Sequence, residues 1–139
     1  MITLPGTEHA QMDGEHRTLT GWLEQAAARI GDAEGSEESL YALDVVCHLA
    51  RSHFEHEHAE MSAWNYPRLA EHRHDHTRLL GELAGLRREF VALAGRIDDA
   101  TSAALRERLA AWMLDHIVEH DRPYAEWLGS ERADPELPG

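Results

Sequence analysis

Apolar side chains return every three or four positions through most of this chain, and polar breaks divide them into four runs. That period is the helical one, and it predicts helices over roughly 13–30, 37–64, 67–97 and 101–129. The breaks are an opening segment to Met12 with Pro5 and Gly6, a loop from Gly31 to Ser36, the tripeptide Asn65-Tyr66-Pro67, and the polar stretch from Asp98 to Ser102. Beyond Gly129, a tail with Pro135 and Pro138 reads as extended chain. Asp13, Ser36 and Thr101 are the expected N-caps, and Pro67 suits a first helical position. Connections this short make consecutive helices antiparallel neighbours. The expected architecture is all-α: a single domain over residues 1–139, folded as an up-down-up-down four-helix bundle.

The same spacing decides which residues face inward. With His53 as the reference on the second helix, Val46, Leu49, Ala50, Glu57, Met61 and Trp64 fall within about 80° of it, with Phe54 near about 100°. On the third helix His72 shares one stripe with Leu69, His76, Leu79, Leu80, Leu83, Leu86, Phe90, Leu93 and Ile97. His16 lines up with Leu19, Leu23 and Ile30 on the first helix. On the last, His116 lines up with Leu105, Leu109, Trp112, Met113 and Trp127. Five histidines and a glutamate therefore lie on the faces that must meet in the core.

Composition adds exclusions. Contents of 42% hydrophobic and 28% charged residues belong to a soluble globular chain. Few aromatics among many Ala, Leu, Glu and Arg favour helix over strand. The net charge of -13 is spread along the chain and includes no lysine. It speaks against nucleic acid and against anionic membrane surfaces, which need clustered cations, and the acidic exterior suggests a monomer. A lone cysteine, Cys47, excludes an internal disulfide and any cysteine-based zinc or iron–sulfur site. It reads as a small, half-buried helix residue. The opening residues lack a basic region followed by an apolar stretch, and no window approaches a transmembrane length, so the expected location is cytoplasmic. The anomaly is histidine, with eleven in 139 residues.

Burying so many polar groups in one small core is costly unless something satisfies them together, and a metal does. His53 and Glu57 are four apart and project from one side of a helix; His72 and His76 repeat that spacing. Imidazole with carboxylate suits borderline ions such as ferrous iron or zinc. Two Glu-x-x-His motifs, Glu55/His58 and Glu71/His74, offer a rival reading as a ferritin-like di-iron carboxylate bundle. Their angles reject it: Glu55 and His74 lie about 200° from the ligand stripes of their helices. The other two helices also lack the inward glutamates that this pattern requires.

At this point the pattern resembles a known family. His53-Phe54-Glu55-His56-Glu57 with Met61, Tyr66-Pro67, His72, His76 and Leu79-Leu80 is similar to the hemerythrin signature. Asp13-Gly14-Glu15-His16 with Leu19 resembles its first-helix motif, and Trp112, His116-Ile117, Asp121 and Tyr124 resemble its last. The match spans about residues 6 to 128. The resemblance implies that His72, His76 and His116 bind one coordinatively full iron, and that His16 and His53 bind a second with an open position. Glu57 and Asp121 would bridge the two ions beside an oxo or hydroxo group. Dioxygen would bind at the open iron, take two electrons and the bridge proton, and sit as hydroperoxide. Nitric oxide and small anions such as azide are further ligands the family suggests. The oxygen pocket would comprise Leu19, Phe54, Trp112, Met113 and Ile117.

Some positions depart from the family. His58 stands where a second glutamate is common; at about 140° from His53, it is expected on the surface with little consequence. Met113 replaces a leucine and could reshape the pocket. His120 lies about 40° from His116, inside the apolar stripe; it reads first as a hydrogen-bonded histidine near the bundle's end and, with Tyr124, is the alternative candidate to stand behind the ligands. Asp121 lies about 140° from His116 on an ideal helix, so a kink or π-bulge is expected between Glu119 and Pro123. His9, His48, His56 and His74 are expected as solvated surface residues. The expected function is binding rather than catalysis: oxygen storage, delivery or sensing, any sensing acting through a separate partner. The alternatives are a di-iron oxidase, a peroxidase or a nitric-oxide-handling enzyme on the same cluster, metal storage, and a structural zinc site.

Overall fold

The computed structural model describes residues 4–30, 36–93 and 98–133. Helices α1 (Ala10–Ala28), α2 (Ser36–Ala63) and α3 (Leu69–Leu93) form three rods. The fourth rod is broken into α4 (Asp99–Ala111), α5 (Leu114–His116), a π-helical turn (Ile117–Asp121) and α6 (Arg122–Ala133). No strand occurs among the described residues, and the fold is the four-helix bundle that the periodicity predicts. The loop 31–35, Ile97 and the tail from 134 lie outside the described residues, as does the side chain of Ser36.

The helix ends differ from the sequence expectation in informative ways. Helix α1 starts at Ala10, because His9 rather than Asp13 is the cap: its Nδ1 accepts the Met12 amide at 3.2 Å. Asp13 instead turns back to accept from the Thr7 amide and hydroxyl, at 2.9 and 2.7 Å. Asp98, not Thr101, caps α4 and accepts the Thr101 amide at 2.7 Å. Pro67 lies in the turn before α3 rather than at its first residue.

Helix α2 ends in a Schellman-type cap. Asn65 takes the left-handed conformation (φ 57°) and its amide donates to Ser62 O, while the Tyr66 amide reaches back to Met61 O at 2.9 Å. Asparagine tolerates that conformation better than most residues, so α3 can start at once and run antiparallel.

Helix α1 packs on α2 and α4, and α2 packs on α3. The Trp112 indole N–H ties the fourth rod to α3 by donating to Leu79 O at 2.9 Å. Arg106 of α4 satisfies carbonyls at the C-terminal end of α1, donating to Ala27 O and Ile30 O. Two apolar clusters fill the interior. The larger includes Leu19, Leu23, Phe54, Leu79, Leu83, Leu109 and Ile117; the smaller is Met12, Met61, Tyr66, Tyr124 and Leu128. Each fully buried leucine contributes about 2 kcal/mol. Along every rod the inward histidines fall between residues of the two clusters, so apolar packing above and below holds one polar layer in place.

Candidate metal centre

Each rod contributes to that layer. Helix α1 supplies His16, α2 supplies His53 and Glu57, α3 supplies His72 and His76, and the fourth rod supplies His116 and Asp121. All seven are buried, between 0% and 5% exposed. All five imidazoles turn Nε2 inward. Asp121 Oδ1 lies 3.0 Å from His72 Nε2 and 3.0 Å from His116 Nε2, while its Oδ2 lies 3.2 Å from His16 Nε2. Glu57 Oε1 lies 3.0 Å from His53 Nε2 and 3.5 Å from His76 Nε2, and Oε2 lies 3.5 Å from His72 Nε2. The His76 and His116 Nε2 atoms stand 3.1 Å apart.

These short separations are mostly not hydrogen bonds. Both carboxylate oxygens of Glu57 and of Asp121, both ring nitrogens of His16 and of His53, and His72 Nε2 are buried without a hydrogen-bond partner. Buried polar groups seldom go unsatisfied, and here the orphans are neighbours aimed at common points rather than at one another. Neighbouring ligands held at about 2.1 Å from an ion stand about 3 Å apart, which is the spacing observed. Ligand atoms gather into two groups, Glu57/His72/His76/His116/Asp121 and His16/His53/Asp121. Asp121 belongs to both, and Glu57 reaches His53 as well.

Asp121 arrives there by the π-helical turn. On an ideal helix, positions 116 and 121 diverge by about 140°. Here the Arg122 amide donates to Ile117 O, five residues back, and the widened turn carries Asp121 round beside His116. The irregularity begins two residues earlier than the sequence suggests. Pro123, which has no amide to donate, follows as the second residue of α6, where a missing donor costs little.

Electrostatics follow the geometry. Burial and the Asp121 charge would raise the Glu57 carboxyl, but His53, His72 and His76 hold it well below the usual range. Burial would likewise raise Asp121; His116, His16 and His72 pull it far down. Burial alone would lower the His72 imidazole, yet Asp121 and Glu57 lift it to about 9. His76 goes the other way, pushed by burial to about 4 despite Glu57. Without a metal, then, this layer holds two ionised carboxylates and protonates its imidazoles unequally.

Behind the layer stand groups that the sequence did not announce. Asp75 Oδ2 accepts the His116 Nδ1–H at 2.6 Å, and Arg78 grips the same carboxylate at 2.7 and 3.2 Å. Burial would raise the Asp75 carboxyl, but Arg78 and His116 hold it at about 2. Asp75, His116 and His120 could also group around an ion, yet this carboxylate is already taken by His116 and Arg78. His58 corrects the expectation of an inconsequential surface residue: it is half-buried, with Nε2 2.6 Å from His76 Nδ1. Burial and neighbouring Arg73 keep its ring below the ordinary histidine range.

The remaining candidates sort by contact. His120 is half-buried and stacks on His116, centroids 5.2 Å apart, with Nε2 3.8 Å from Asp75. Tyr124 is fully buried, but its hydroxyl donates to Glu60 rather than to the donor layer. Glu60 also receives His9, and Glu15 receives His56, so these two histidines have partners where none was expected. His74 and Glu55 are exposed, as their angles require, and His48 is exposed as expected of a surface histidine. Leu19, Phe54, Trp112, Met113 and Ile117 are all buried in the larger apolar cluster, and Phe54 stacks on His76 at 3.8 Å.

Residues 7–128 match the family model described as the hemerythrin HHE cation binding domain. A curated protein named Bacteriohemerythrin, from Methylococcus capsulatus, is 26% identical over 125 residues, covering 90% of this chain and 92% of that relative. No solved structure gives a significant match.

Proposed function

Because the chain belongs to the hemerythrin family, we propose that it binds dioxygen reversibly at a pair of non-haem iron ions, for oxygen storage, delivery or sensing. One observation carries the reading: two buried carboxylates lie between an unequal pair of imidazole sets, each within reach of both. That is a donor set for two ions of different saturation. His72, His76 and His116 would hold one ion, His16 and His53 the other, with Glu57 and Asp121 spanning them. Iron held by these residues would supply the reversible redox chemistry that dioxygen binding requires.

The chain's own residues explain why binding is favoured over turnover. The two-imidazole side has fewer protein donors, which leaves room for an external ligand. Leu19, Phe54, Trp112, Met113 and Ile117 supply a buried apolar wall that excludes water. The proton on Trp112 is already committed to Leu79 O, so this wall has none to deliver to reduced oxygen. Ionised Glu57 and Asp121 offset the cationic charge. No helix among the described residues is long and apolar enough to cross a membrane.

The test is an absorption spectrum of protein purified in air. Visible charge-transfer bands that fade under argon and return with air are expected, at two irons per chain. Irreversible oxidation with release of hydrogen peroxide would replace this reading with an oxidase. A colourless, zinc-holding protein would replace it with a structural site.

A further inference from the structure

We infer that His58 is a positioning residue for the three-imidazole side of the centre, a neutral acceptor that holds the Nδ1 proton of His76. In doing so it fixes the nitrogen that His76 presents to metal and the strength with which that ring donates. The meaning of this role rests on the di-iron reading above, but its geometry does not.

His76 turns Nε2 toward the layer, 3.1 Å from His116 Nε2, and Nδ1 outward, 2.6 Å from His58 Nε2. A metal on Nε2 leaves the ring's one proton on Nδ1, so His76 must donate and His58 must accept. His58 can accept only as the neutral ring with its own proton on Nδ1. Phe54 stacks on the face of His76 at 3.8 Å and 10°. Phe54 and His58 are one turn apart on α2, so two successive turns hold the ring, one by its face and one by its edge.

The neighbouring ligand shows what is distinctive. His116 directs its Nδ1 proton to a carboxylate, Asp75, at the same 2.6 Å. An anionic acceptor draws the proton away and makes the imidazole a stronger donor, which favours the more oxidised ion; a neutral acceptor does so less. The side therefore carries one strengthened imidazole and one that is held without being strengthened. A glutamate at position 58 would strengthen both.

The test uses His58→Glu, His58→Gln and His58→Ala in the full chain. Metal affinity is read by chelator competition and the midpoint potential by spectroelectrochemical titration. His58→Glu is expected to shift the potential downward. His58→Gln, whose amide oxygen is a neutral acceptor, should keep both quantities near the parent values. His58→Ala should weaken metal retention by about tenfold to a hundredfold. Nitrogen-15 spectra of the zinc-loaded chain read the hydrogen bond directly, whichever ion the protein uses. A His76 Nδ1 proton bonded to His58 supports the assignment. Its absence, or unchanged affinity and potential in both His58→Glu and His58→Ala, overturns it. Failure of the di-iron reading shows separately, as loss of oxygen-dependent colour in the parent chain.

Discussion

The two sides of the donor layer share their carboxylates but differ in what stands behind the rings. On the three-imidazole side, His116 is backed by Asp75, itself pinned by Arg78, and His76 by His58. On the two-imidazole side, neither outer nitrogen has a hydrogen-bond partner: His16 Nδ1 is buried alone, and His53 Nδ1 has only Glu15 at 3.5 Å. Backed rings keep one orientation; unbacked rings are held by apolar packing and can shift at little polar cost. The difference teaches where exchange is expected. The pliant side is also the one with fewer donors, so on the proposed di-iron reading a small ligand would come and go there while the other ion stayed anchored.

Six substitutions, the last of them paired with a titration, can break or sharpen that contrast. The largest effect is expected from Asp121→Ala, because this carboxylate touches imidazoles of both sets. Metal analysis should find neither ion retained; a chain that still carries two would remove the spanning role. Next, His116→Ala and His16→Ala should each cost one ion, leaving about one per chain by elemental analysis. Loss of both ions in either variant would show that the two sides do not bind separately.

A finer comparison sets Asp75→Asn against Glu15→Gln. The first should weaken metal retention by about tenfold to a hundredfold. The second, whose carboxylate is beyond hydrogen-bond reach of His53, should change it little. Equal losses in a chelator competition would erase the asymmetry.

The smallest effect is a proton count. His72 is lifted to about 9 in the metal-free chain, so at pH 8 it still holds a proton that a metal must expel. An indicator dye should record release on zinc addition at pH 8, diminished in His72→Gln. The sign for stability follows from the raised value. The contribution is complete below the ordinary histidine pKa of 6.5 and is lost as pH climbs through about 9, so the metal-free chain should melt earlier at pH 9.5 than at pH 6.

Helical periodicity made the inward faces legible, because His53, Glu57, His72 and His76 repeat every turn and every core packing of such helices must bury them. Asp121 was readable only through its misfit, since an angle that fails on a regular helix demands an irregular one. The backing groups were hidden for the same reason that the ligands were visible. Asp75 and His58 lie off the inward stripes and reach ligands on other helices, and single-helix angles say nothing about contacts across a groove. His9 and Asp98 displaced Asp13 and Thr101 as caps because several nearby side chains can serve, and tertiary contacts such as Thr7 with Asp13 choose among them.

The π-helical turn has a further reach. It holds one residue more than an ordinary turn would, and everything after it, including buried Tyr124 and Leu128, is phased by that extra residue. Winding Ile117–Asp121 into a regular α-helix with every residue kept would rotate the whole terminal segment by about 100°, pulling a carboxylate from the middle of the molecule and an aromatic plug from its end in one stroke. Occupancy at the centre and closure of the bundle's far end are thus geared together, and loosening either should be felt at the other.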